Sequence, residues 1–331
     1  SSRFWGDSPS VIIGGKGRNL KGGLFVISQH EFTALSWLHG KLGLDSEDIN
    51  LYYLIGNLRE GKYGLYYNCY EIDGRPIWQP KGELKVVQKA ISQKLLPMFP
   101  RHRSCFGLSG GNCRQVAEKH LGFKSVLMFD LRYAFSQVSH LQVFNSLWGY
   151  PEPRLSFYAA RLVADLCTVG KIERVESSQY DSFTSSGGIL PQGTATSPRL
   201  FDLCMSPFDD FLSRWAQENN LIYNRYADNL FFSSREGEIS DRLRASLLGR
   251  VGKRYQFHKV RQIHHGEMCR MLGLNLRTDS VANTREFKRG FRGALYHLEY
   301  ALVRQLDHQK AWAIASGYAG FAIHSQLPVS L

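Results

Sequence analysis

Residues 221–232 read LIYNRYADNLFF, in which two apolar runs flank the tripeptide Ala227-Asp228-Asn229. Aromatic and β-branched residues on both sides of a tight turn are typical of an antiparallel β-hairpin. The pattern therefore predicts a hairpin with Asp228 at its tip. A second carboxylate, Asp130, follows the apolar run at 126–129, which predicts another strand.

Carboxylates at a strand end and at a hairpin tip can lie close together in a sheet. Taken singly, each aspartate fits a turn cap, but together they fit a site that holds two divalent cations roughly 3.5–4 Å apart. Such cations stabilise the attacking and leaving oxygens of an in-line phosphoryl displacement. Few, hard oxygen ligands favour Mg²⁺, which keeps waters and substrate phosphates in its coordination shell. Asp130 and Asp228 are therefore candidate metal ligands.

The composition of the 331-residue chain predicts a globular protein with an anionic partner. Lys and Arg number 41 against 29 Asp and Glu, a formal net charge of +12, which favours nucleic acid or an anionic membrane. No apolar run approaches the roughly 18 residues that span a bilayer, and the N-terminal residues lack the apolar core of a signal peptide. We therefore expect neither membrane insertion nor secretion. Six cysteines without a C-x-x-C pair favour reduced thiols, no zinc site and a cytoplasmic location.

The rest of the sequence predicts a mixture of helices and short strands. The dipeptide Asp73-Gly74 predicts a tight turn between strands at 65–72 and 75–78. The basic, glycine-rich segment at 14–23 lacks the spacing of a P-loop and is expected to be a mobile loop. Helices are expected after Ser28, near Asp45, at 85–96, 139–149 and 154–168, after Ser197, at 240–252 and from Thr284 onward, with a pair of strands at 257–276.

Two polar clusters carry weaker signals. His258, His264 and His265 have no cysteine or carboxylate at ligand spacing, which favours surface or groove positions over a metal site. Asp209 and Asp210 resemble a catalytic pair but are expected on the solvated face of a predicted helix.

Three motifs occur in the order and at the spacing of the central palm motifs of reverse transcriptases. They are FDLRYAF at 129–135, LPQGTATSP at 190–198 and YADN at 226–229. The chain resembles this family from about residue 62 to 325, and the likeness is strongest to the prokaryotic branch that includes retron and group II intron enzymes. Supporting segments lie at 74–77, 84–88, 109–112, 232–234 and 272–275.

The resemblance implies an α+β right-hand polymerase with an antiparallel palm sheet packed on helices. Its fingers with an N-terminal extension would span residues 1–122, its palm 123–282 and its thumb 283–331. The implied activity is that of a reverse transcriptase, an RNA-directed DNA polymerase. It transfers deoxynucleotides to a primer 3′-hydroxyl with two Mg²⁺ ions, for which Mn²⁺ could substitute.

Carried over to this sequence, the resemblance implies roles for individual residues of the motifs. Asp130 and Asp228 would bind both metal ions, together with the backbone carbonyl of Leu131. Phe135 would lie under the sugar of the incoming nucleotide, where its ring excludes a 2′-hydroxyl. The alternative for Phe135 is an ordinary core phenylalanine.

Further residues would serve the nucleotide. Arg75 would grip the triphosphate with its guanidinium fork, or else be a solvated surface charge. Gln192 and Gly193 would lie near the nucleotide and template, where glycine permits close backbone approach; without the motif they are turn residues. Lys259 or Arg261 would protonate the departing pyrophosphate, and lysine is preferred because guanidinium does not release its proton.

The hairpin tip departs from the family pattern, which usually has two aspartates where this chain has Asp228 and Asn229. Asn229, counted here with the catalytic residues, keeps an oxygen acceptor but removes one negative charge, so we expect activity to survive with a preference shifted toward Mn²⁺. The departure also supports a rival interpretation, a catalytically weak reverse-transcriptase fold that serves as a nucleic-acid-binding or assembly module. A second rival is template-independent or protein-primed DNA synthesis.

The implied partners are an RNA template, a DNA or RNA primer and dNTPs. Further candidates are a dedicated structured non-coding RNA, an effector protein and a second copy of the chain, but no membrane. Basic residues of the tail helix, among them Arg285 and Arg292, would contact the phosphates of the template–primer duplex. Few residues follow this helix, so we expect no maturase or endonuclease domain, which favours a retron-like enzyme or one of antiviral defence.

Overall fold

The computed structural model describes residues 10–12, 26–45, 49–108, 111–170 and 188–325. These residues form an α+β fold of helices and small antiparallel sheets. The elements in chain order are β1 (Ser10–Ile12), β2 (Val26–Ser28), α1 (Gln29–Leu42), α2 (Leu51–Arg59), β3 (Tyr67–Ile72), β4 (Arg75–Pro80), α3 (Gly82–Ala90), α4 (Cys113–Lys119), β5 (Ser125–Leu131), α5 (His140–Trp148), α6 (Phe157–Cys167), α7 (Ser197–Glu218), β6 (Ile222–Tyr226), β7 (Asn229–Ser234), α8 (Asp241–Gly252), β8 (Phe257–His264), β9 (Cys269–Met271), β10 (Leu274–Leu276), β11 (Val281–Asn283), α9 (Arg285–Val303) and α10 (Gln309–Ser325).

The chain divides into two compact units. Unit 1 comprises Ser1–Arg101 and Tyr133–Ser206, and unit 2 comprises His102–Arg132 and Pro207–Leu331. Helix α7 begins in unit 1 and ends in unit 2. The boundaries of fingers, palm and thumb remain a prediction.

Unit 1 is mainly helical and has α6 at its centre. Helices α1, α2, α3 and α5 all pack against α6. The side chains of Leu162, Val163 and Leu166 on this helix are almost inaccessible to solvent. Because each fully buried aliphatic side chain stabilises the fold by roughly 1.5–3 kcal/mol, α6 is the main hydrophobic anchor of unit 1.

Strands β3 and β4 form the hairpin predicted from Asp73-Gly74. The strands pair in the antiparallel sense from Tyr67 opposite Pro80 to Ile72 opposite Arg75. Both tip residues have positive φ, 51° and 71°, as a two-residue turn with the right hairpin twist requires. Because aspartate and glycine tolerate this conformation, the local sequence suffices to close the turn.

Unit 2 contains a four-stranded antiparallel sheet in the order β6-β7-β5-β8, which we call the palm sheet. On one face, Val126 and Phe231 belong to a hydrophobic cluster that also includes Met271. On the other face, the ring of Phe129 lies 5.9 Å from Phe232, centroid to centroid. Both faces of β5 are therefore buried, which explains the near-continuous apolar run of this strand.

The predicted strand pair at 257–276 is wrong in its pairing. Strand β8 pairs with β5 at the edge of the palm sheet. Strand β10 pairs with both β9 and β11 in a separate three-stranded sheet. The local pattern identified residues that form strands but could not identify a partner more than a hundred residues away, because strand pairing depends on tertiary packing.

The tail of unit 2 is a pair of helices, as the sequence predicts. Thr284 caps α9 by accepting a hydrogen bond from the backbone N–H of Phe287 at 3.1 Å. Helices α9 and α10 pack through Ala294, Leu298 and Ala315. In the part of the chain that the structure describes, no helix combines the length and apolarity that a membrane crossing needs.

Two predicted helix boundaries shift, and some residues with sequence-based predictions lie outside the described ranges. Helix α2 begins at Leu51 rather than near Asp45, because the Asn50 side chain accepts a hydrogen bond from the backbone N–H of Tyr53. Helix α3 begins at Gly82 and ends at Ala90, and a π-helical turn continues the chain to Leu95. The residues outside the described ranges include the glycine-rich segment at 14–23, Ser109-Gly110 and residues 46–48.

Candidate active site

The palm sheet brings three of the predicted catalytic residues into one row. In β5, Asp130 lies directly opposite Asn229 of β7 and Lys259 of β8. Directly paired residues of an antiparallel sheet project to the same face, with Cβ atoms about 4.5–5.5 Å apart. The sequence-predicted acid, amide and ammonium are therefore neighbours although they are distant in the chain.

The tip of the β6–β7 hairpin joins this row. Ala227 and Asp228 connect the two strands, and Ala227 has a positive φ of 50°. The backbone N–H of Leu131 donates to the carbonyl oxygen of Asp228 at 3.0 Å. This bond ties the tip to the residue next to Asp130, so the two predicted acids lie at one end of the sheet.

Asn229 contacts the second acid directly. Its Nδ2 donates to Oδ1 of Asp228 at 3.0 Å. An aspartate at position 229 would instead bring two carboxylates together, and like charges at this separation repel each other unless a cation lies between them. Asn229 thus orients the Asp228 carboxylate without requiring a bound metal ion.

A cavity of about 250 Å³ opens beside this row. It is lined by Asp130, Asn229, Lys259 and Arg261, among others. Lys259 lies opposite Asp130, whereas Arg261 lies opposite Met128, two residues farther from the hairpin tip. The register thus places Lys259, rather than Arg261, directly beside Asp130 in the sheet, although both residues line the cavity.

A bulge in β8 adjoins Lys259. Strand β8 pairs Lys259 with Asp130 and Phe257 with Leu131, so His258 is an extra residue. Bulges of this kind bend a strand and redirect its side chains, often beside active sites. The other two histidines are engaged elsewhere, His264 with Glu238 at 3.0 Å and His265 with the carbonyl oxygen of Phe123 at 3.3 Å.

Two of the predicted nucleotide-binding residues of unit 1, Gln192 and Gly193, lie in a loop that contacts strand β4. The backbone N–H of Trp78 in β4 donates to the carbonyl oxygen of Gln192 at 2.8 Å. Gly193 has a φ of 103°, and a Cβ there would lie 2.8 Å from Cγ2 of Ile77. Glycine is therefore required at 193 for two independent reasons, backbone conformation and close packing.

Arg75 and Phe135 complete the predicted set in unit 1. Arg75 is the first residue of β4 and is exposed beside the hairpin tip. Phe135 begins a 3₁₀ turn, Phe135–Gln137, and its half-buried ring lies 5.2 Å from the ring of Phe201, centroid to centroid. The packing against Phe201 fixes one side of the ring and leaves part of its surface accessible.

Asp209 is not on a solvated face, which corrects the sequence-based expectation. Its carboxylate is fully buried and forms an ion pair with Arg225, whose guanidinium is equally buried. Burial opposes the charge of Arg225, but the adjacent Asp209 outweighs it and holds the pKa of Arg225 well above its ordinary value. Asp210 is exposed, as expected, and pairs with His102 at 3.0 Å. The sequence signal that was missed is an arginine within a buried strand, which requires a buried acid.

The chain is similar in sequence to known proteins. Residues 71–276, more than half of the chain, match the family model described as reverse transcriptase (RNA-dependent DNA polymerase). Two of the similar curated proteins are from Escherichia coli. Retron Ec86 reverse transcriptase is 24% identical over 253 residues, 72% of this chain and 69% of that protein. Retron Ec83 reverse transcriptase is 25% identical over 188 residues, 55% of this chain and 57% of that protein.

A third relative, retron Mx65 reverse transcriptase from Myxococcus xanthus, is 27% identical over 231 residues, 67% of this chain and 52% of that protein. The chain thus spans between about half and about two thirds of the length of these three relatives. The matched region contains all three sequence motifs, the β6–β7 hairpin and the whole palm sheet. The chain belongs to the reverse transcriptase family.

Proposed function

We propose that this chain is an RNA-directed DNA polymerase that adds deoxynucleotides to a primer 3′-hydroxyl. One observation carries the proposal: Asp130 lies beside Asn229 and Lys259 in the sheet, and the adjacent backbone holds the tip with Asp228. Two acids and a base at one sheet end suit phosphoryl transfer, in which charge develops on both the attacking and the leaving oxygen.

The side chains present fit Mg²⁺. Asp130 and Asp228 offer carboxylate oxygens, Asn229 offers an amide oxygen and Leu131 a backbone carbonyl, all hard ligands without a thiol or imidazole. Within the described ranges, no group of three or more His, Cys, Asp and Glu could hold a metal ion, which suits a cation that takes its remaining ligands from water and substrate phosphates. When bound, two such ions supply Lewis-acid stabilisation of the reacting oxygens.

The chain's own residues are assigned the following roles in the proposed reaction. Asp130 and Asp228 hold the cations, and Asn229 fixes the Asp228 carboxylate. Lys259 protonates the departing pyrophosphate, since ammonium is a proton donor that guanidinium is not. This assignment follows the register of the palm sheet, in which Lys259 lies beside Asp130.

We assign nucleotide recognition to residues of unit 1. Arg75 pairs with the triphosphate through its planar fork. The ring of Phe135, braced by Phe201, excludes a 2′-hydroxyl and so selects deoxynucleotides. Gln192 and Gly193 contact the nucleotide and template through a loop whose backbone is fixed against Trp78.

Fingers at 1–122, palm at 123–282 and thumb at 283–331 are part of the proposal. An RNA template, a DNA or RNA primer and a structured non-coding RNA are its proposed partners, because similar curated proteins are retron enzymes and the net charge is +12. We also propose a cytoplasmic location, which the six free thiols support.

Asn229 favours a second candidate function, a weakly catalytic module that binds nucleic acid. The replaced acid would have added a negative charge for cation binding, and its loss lowers the attraction for Mg²⁺. We expect a shift toward Mn²⁺ rather than loss of activity. Asn229→Asp should restore a preference for Mg²⁺, and identical Mg²⁺ and Mn²⁺ titrations of the two proteins would contradict this expectation.

The decisive experiment is extension of a labelled DNA primer on an RNA template. Wild type, Asp130→Asn and Asp210→Asn are compared with dNTPs or NTPs and with Mg²⁺ or Mn²⁺. Asp210→Asn is the matched control because it removes an exposed carboxylate of the same unit. We expect extension with dNTPs by wild type and by Asp210→Asn, and none by Asp130→Asn. If none of the three proteins extends the primer while RNA binding persists, the result would favour the binding module. DNA esterified to the chain would favour protein priming.

A further inference from the structure

A buried ion pair lies under the β6–β7 hairpin. Arg225 of β6 is fully buried, and its guanidinium grips both oxygens of Asp209: Nε lies 2.9 Å from Oδ1 and Nη2 lies 2.7 Å from Oδ2. The hydroxyl of Tyr223 donates to Oδ1 of the same carboxylate at 2.6 Å. Such a fork-on-carboxylate arrangement fixes the orientation of the guanidinium plane as well as its position.

The third arm of the guanidinium reaches the hairpin tip. Nη1 of Arg225 donates to the carbonyl oxygen of Ala227 at 3.0 Å. Ala227 is the residue before Asp228 and holds a positive φ of 50°, a conformation that an alanine does not adopt without support. The hydrogen bond fixes the peptide plane that joins Ala227 to Asp228. The direction of the Asp228 side chain depends on this plane.

A second contact restrains the tip through its backbone. The segment before α4 runs along β6: the N–H of Arg225 donates to the carbonyl oxygen of Ser104 at 2.8 Å, and the N–H of Phe106 donates to that of Arg225 at 2.9 Å. The next residue, Gly107, lies so close that a Cβ there would be 2.3 Å from the backbone nitrogen of Ala227. Backbone cannot give way as a flexible side chain can, so Gly107 forms a tight stop against the tip.

We propose that Arg225, oriented by Asp209, is a positioning residue that sets the Asp228 carboxylate for metal binding, with Gly107 as a second contact that restrains the Ala227 backbone. Neither residue touches the reacting atoms. The proposal rests on the proposed polymerase function for its activity readout, but it also predicts a property of the chain without substrate. If the tip loosens, the hydrogen bond from the Leu131 N–H to the Asp228 carbonyl oxygen must open more often.

The first test uses Arg225→Lys. Lysine keeps a positive charge against Asp209 but has no planar fork, so it cannot serve the carboxylate and the Ala227 carbonyl together. The matched control is Arg199→Lys. Arg199 lies on the same helix as Asp209 and also binds a carboxylate, that of Asp202, and two backbone carbonyls, but those of Phe99 and Pro100.

Gly107→Ala is the second test, because it disturbs the backbone of the tip and replaces no residue of the ion pair. Each protein is compared with wild type for thermal unfolding, for the Mg²⁺ concentration that gives half-maximal primer extension, and for hydrogen–deuterium exchange of the peptide containing Leu131. We expect Arg225→Lys and Gly107→Ala to raise the half-maximal Mg²⁺ concentration roughly 10- to 100-fold, as loss of a group that orients a metal ligand does. Both should also accelerate the exchange, while Arg199→Lys changes neither.

Simple destabilisation would lower the active fraction without changing the half-maximal Mg²⁺ concentration. Folded Arg225→Lys and Gly107→Ala with the wild-type Mg²⁺ requirement and wild-type exchange would overturn the proposal. If Arg225→Lys does not fold, Gly107→Ala decides alone. If wild type shows no extension with either metal, the proposed function fails, and the exchange of the Leu131 peptide still supports or overturns the positioning role.

Discussion

The β3–β4 and β6–β7 hairpins have tips of equal length but opposite construction. The β3–β4 hairpin closes through Asp73 and Gly74, both of which accept positive φ, and most of β3 is exposed. The β6–β7 hairpin closes through Ala227 and Asp228, with strands that are largely buried. The first tip is formed by its own residues, whereas the second depends on a guanidinium below it and a glycine beside it.

This difference shows how a protein places a flexible contact and a rigid one on the same type of element. A self-sufficient turn can present Arg75, the proposed triphosphate ligand, on an exposed hairpin. A metal ligand tolerates less movement, because its oxygen must lie within a few tenths of an ångström of its place. The strained backbone conformation of Ala227 therefore lies next to Asp228, the proposed metal ligand, and not next to Arg75. Backbone strain is usually found beside functional residues.

The largest expected effect comes from exchanging one carboxylate at each tip for an amide. Asp228→Asn should lower the rate of primer extension roughly 100- to 1,000-fold, because the developing charge on the reacting oxygens loses several kcal/mol of stabilisation. Asp73→Asn should leave the rate unchanged, since asparagine also tolerates positive φ. Steady-state extension assays measure both. Equal losses in the two variants would erase the distinction between the hairpins.

A tenfold or larger effect on substrate binding is expected at the exposed hairpin. Arg75→Ala should raise the KM for dNTPs roughly 10- to 100-fold, because a charge-assisted hydrogen bond contributes about 1.5–3 kcal/mol. The kcat should change less. The KM of Arg75→Lys should lie between the values of wild type and Arg75→Ala. Arg161→Ala removes the same charge from an exposed arginine of unit 1 and should leave the KM unchanged. An equal rise in the KM of Arg161→Ala would show that Arg75 acts only through its positive charge and not through a specific contact.

The contrast between the hairpins also explains what the sequence could predict. Asp73-Gly74 is a turn signal in itself, so the first hairpin was predicted together with its turn. The second was predicted from its apolar flanks, because alanine is not a turn-forming residue. The positions of Asp130, Asp228 and Asn229 followed from strand ends and motif order, and the palm sheet brings them together.

The sequence could not reveal contacts between distant segments. Asp209 has Asp210 as its neighbour, and only the fold places Arg225, 16 residues away, against it. The pairing of β8 with β5 was missed for the same reason, since a period of two identifies a strand but not its partner. These contacts hold the residues of the candidate site in place, whereas the motifs contain the residues with the proposed chemical roles.

The stability of the protein is expected to depend on pH through His120, which contacts the buried hairpin. His120, fully buried, contacts Ser233 of β7 at 2.7 Å, and burial, aided by Arg235, lowers its pKa to about 3 from the ordinary 6.5. Between these values the unfolded chain binds a proton that the folded chain does not, so stability falls as the pH falls through this window. From pH 7 to pH 5, His120 should lower the unfolding free energy by about 2 kcal/mol.

Urea unfolding of wild type and His120→Gln at the two pH values measures this loss. The variant should lose about 2 kcal/mol less than wild type between pH 7 and pH 5, whatever its stability at pH 7. His297→Gln, which replaces a solvent-exposed histidine of α9, is the control and should follow the wild type. Parallel pH profiles for wild type and His120→Gln would show that the histidine does not stay neutral under the palm sheet.

The smallest effect is expected from exchanging alanine and glycine between the tips. Gly74 and Ala227 both have positive φ, 71° and 50°, so Gly74→Ala introduces strain and Ala227→Gly relieves it. Strain of about 1–2 kcal/mol is partly offset by the change in unfolded-chain entropy, about 0.4–1 kcal/mol. Gly74→Ala should therefore destabilise, and Ala227→Gly stabilise, by roughly 0.5–1 kcal/mol in urea unfolding. Extension by Ala227→Gly should be no faster than by wild type, because a glycine at the tip adds freedom next to a metal ligand. A destabilised Ala227→Gly would mean that the Arg225 bond and the Gly107 stop leave no strain at Ala227, and the two tips would then differ in burial alone.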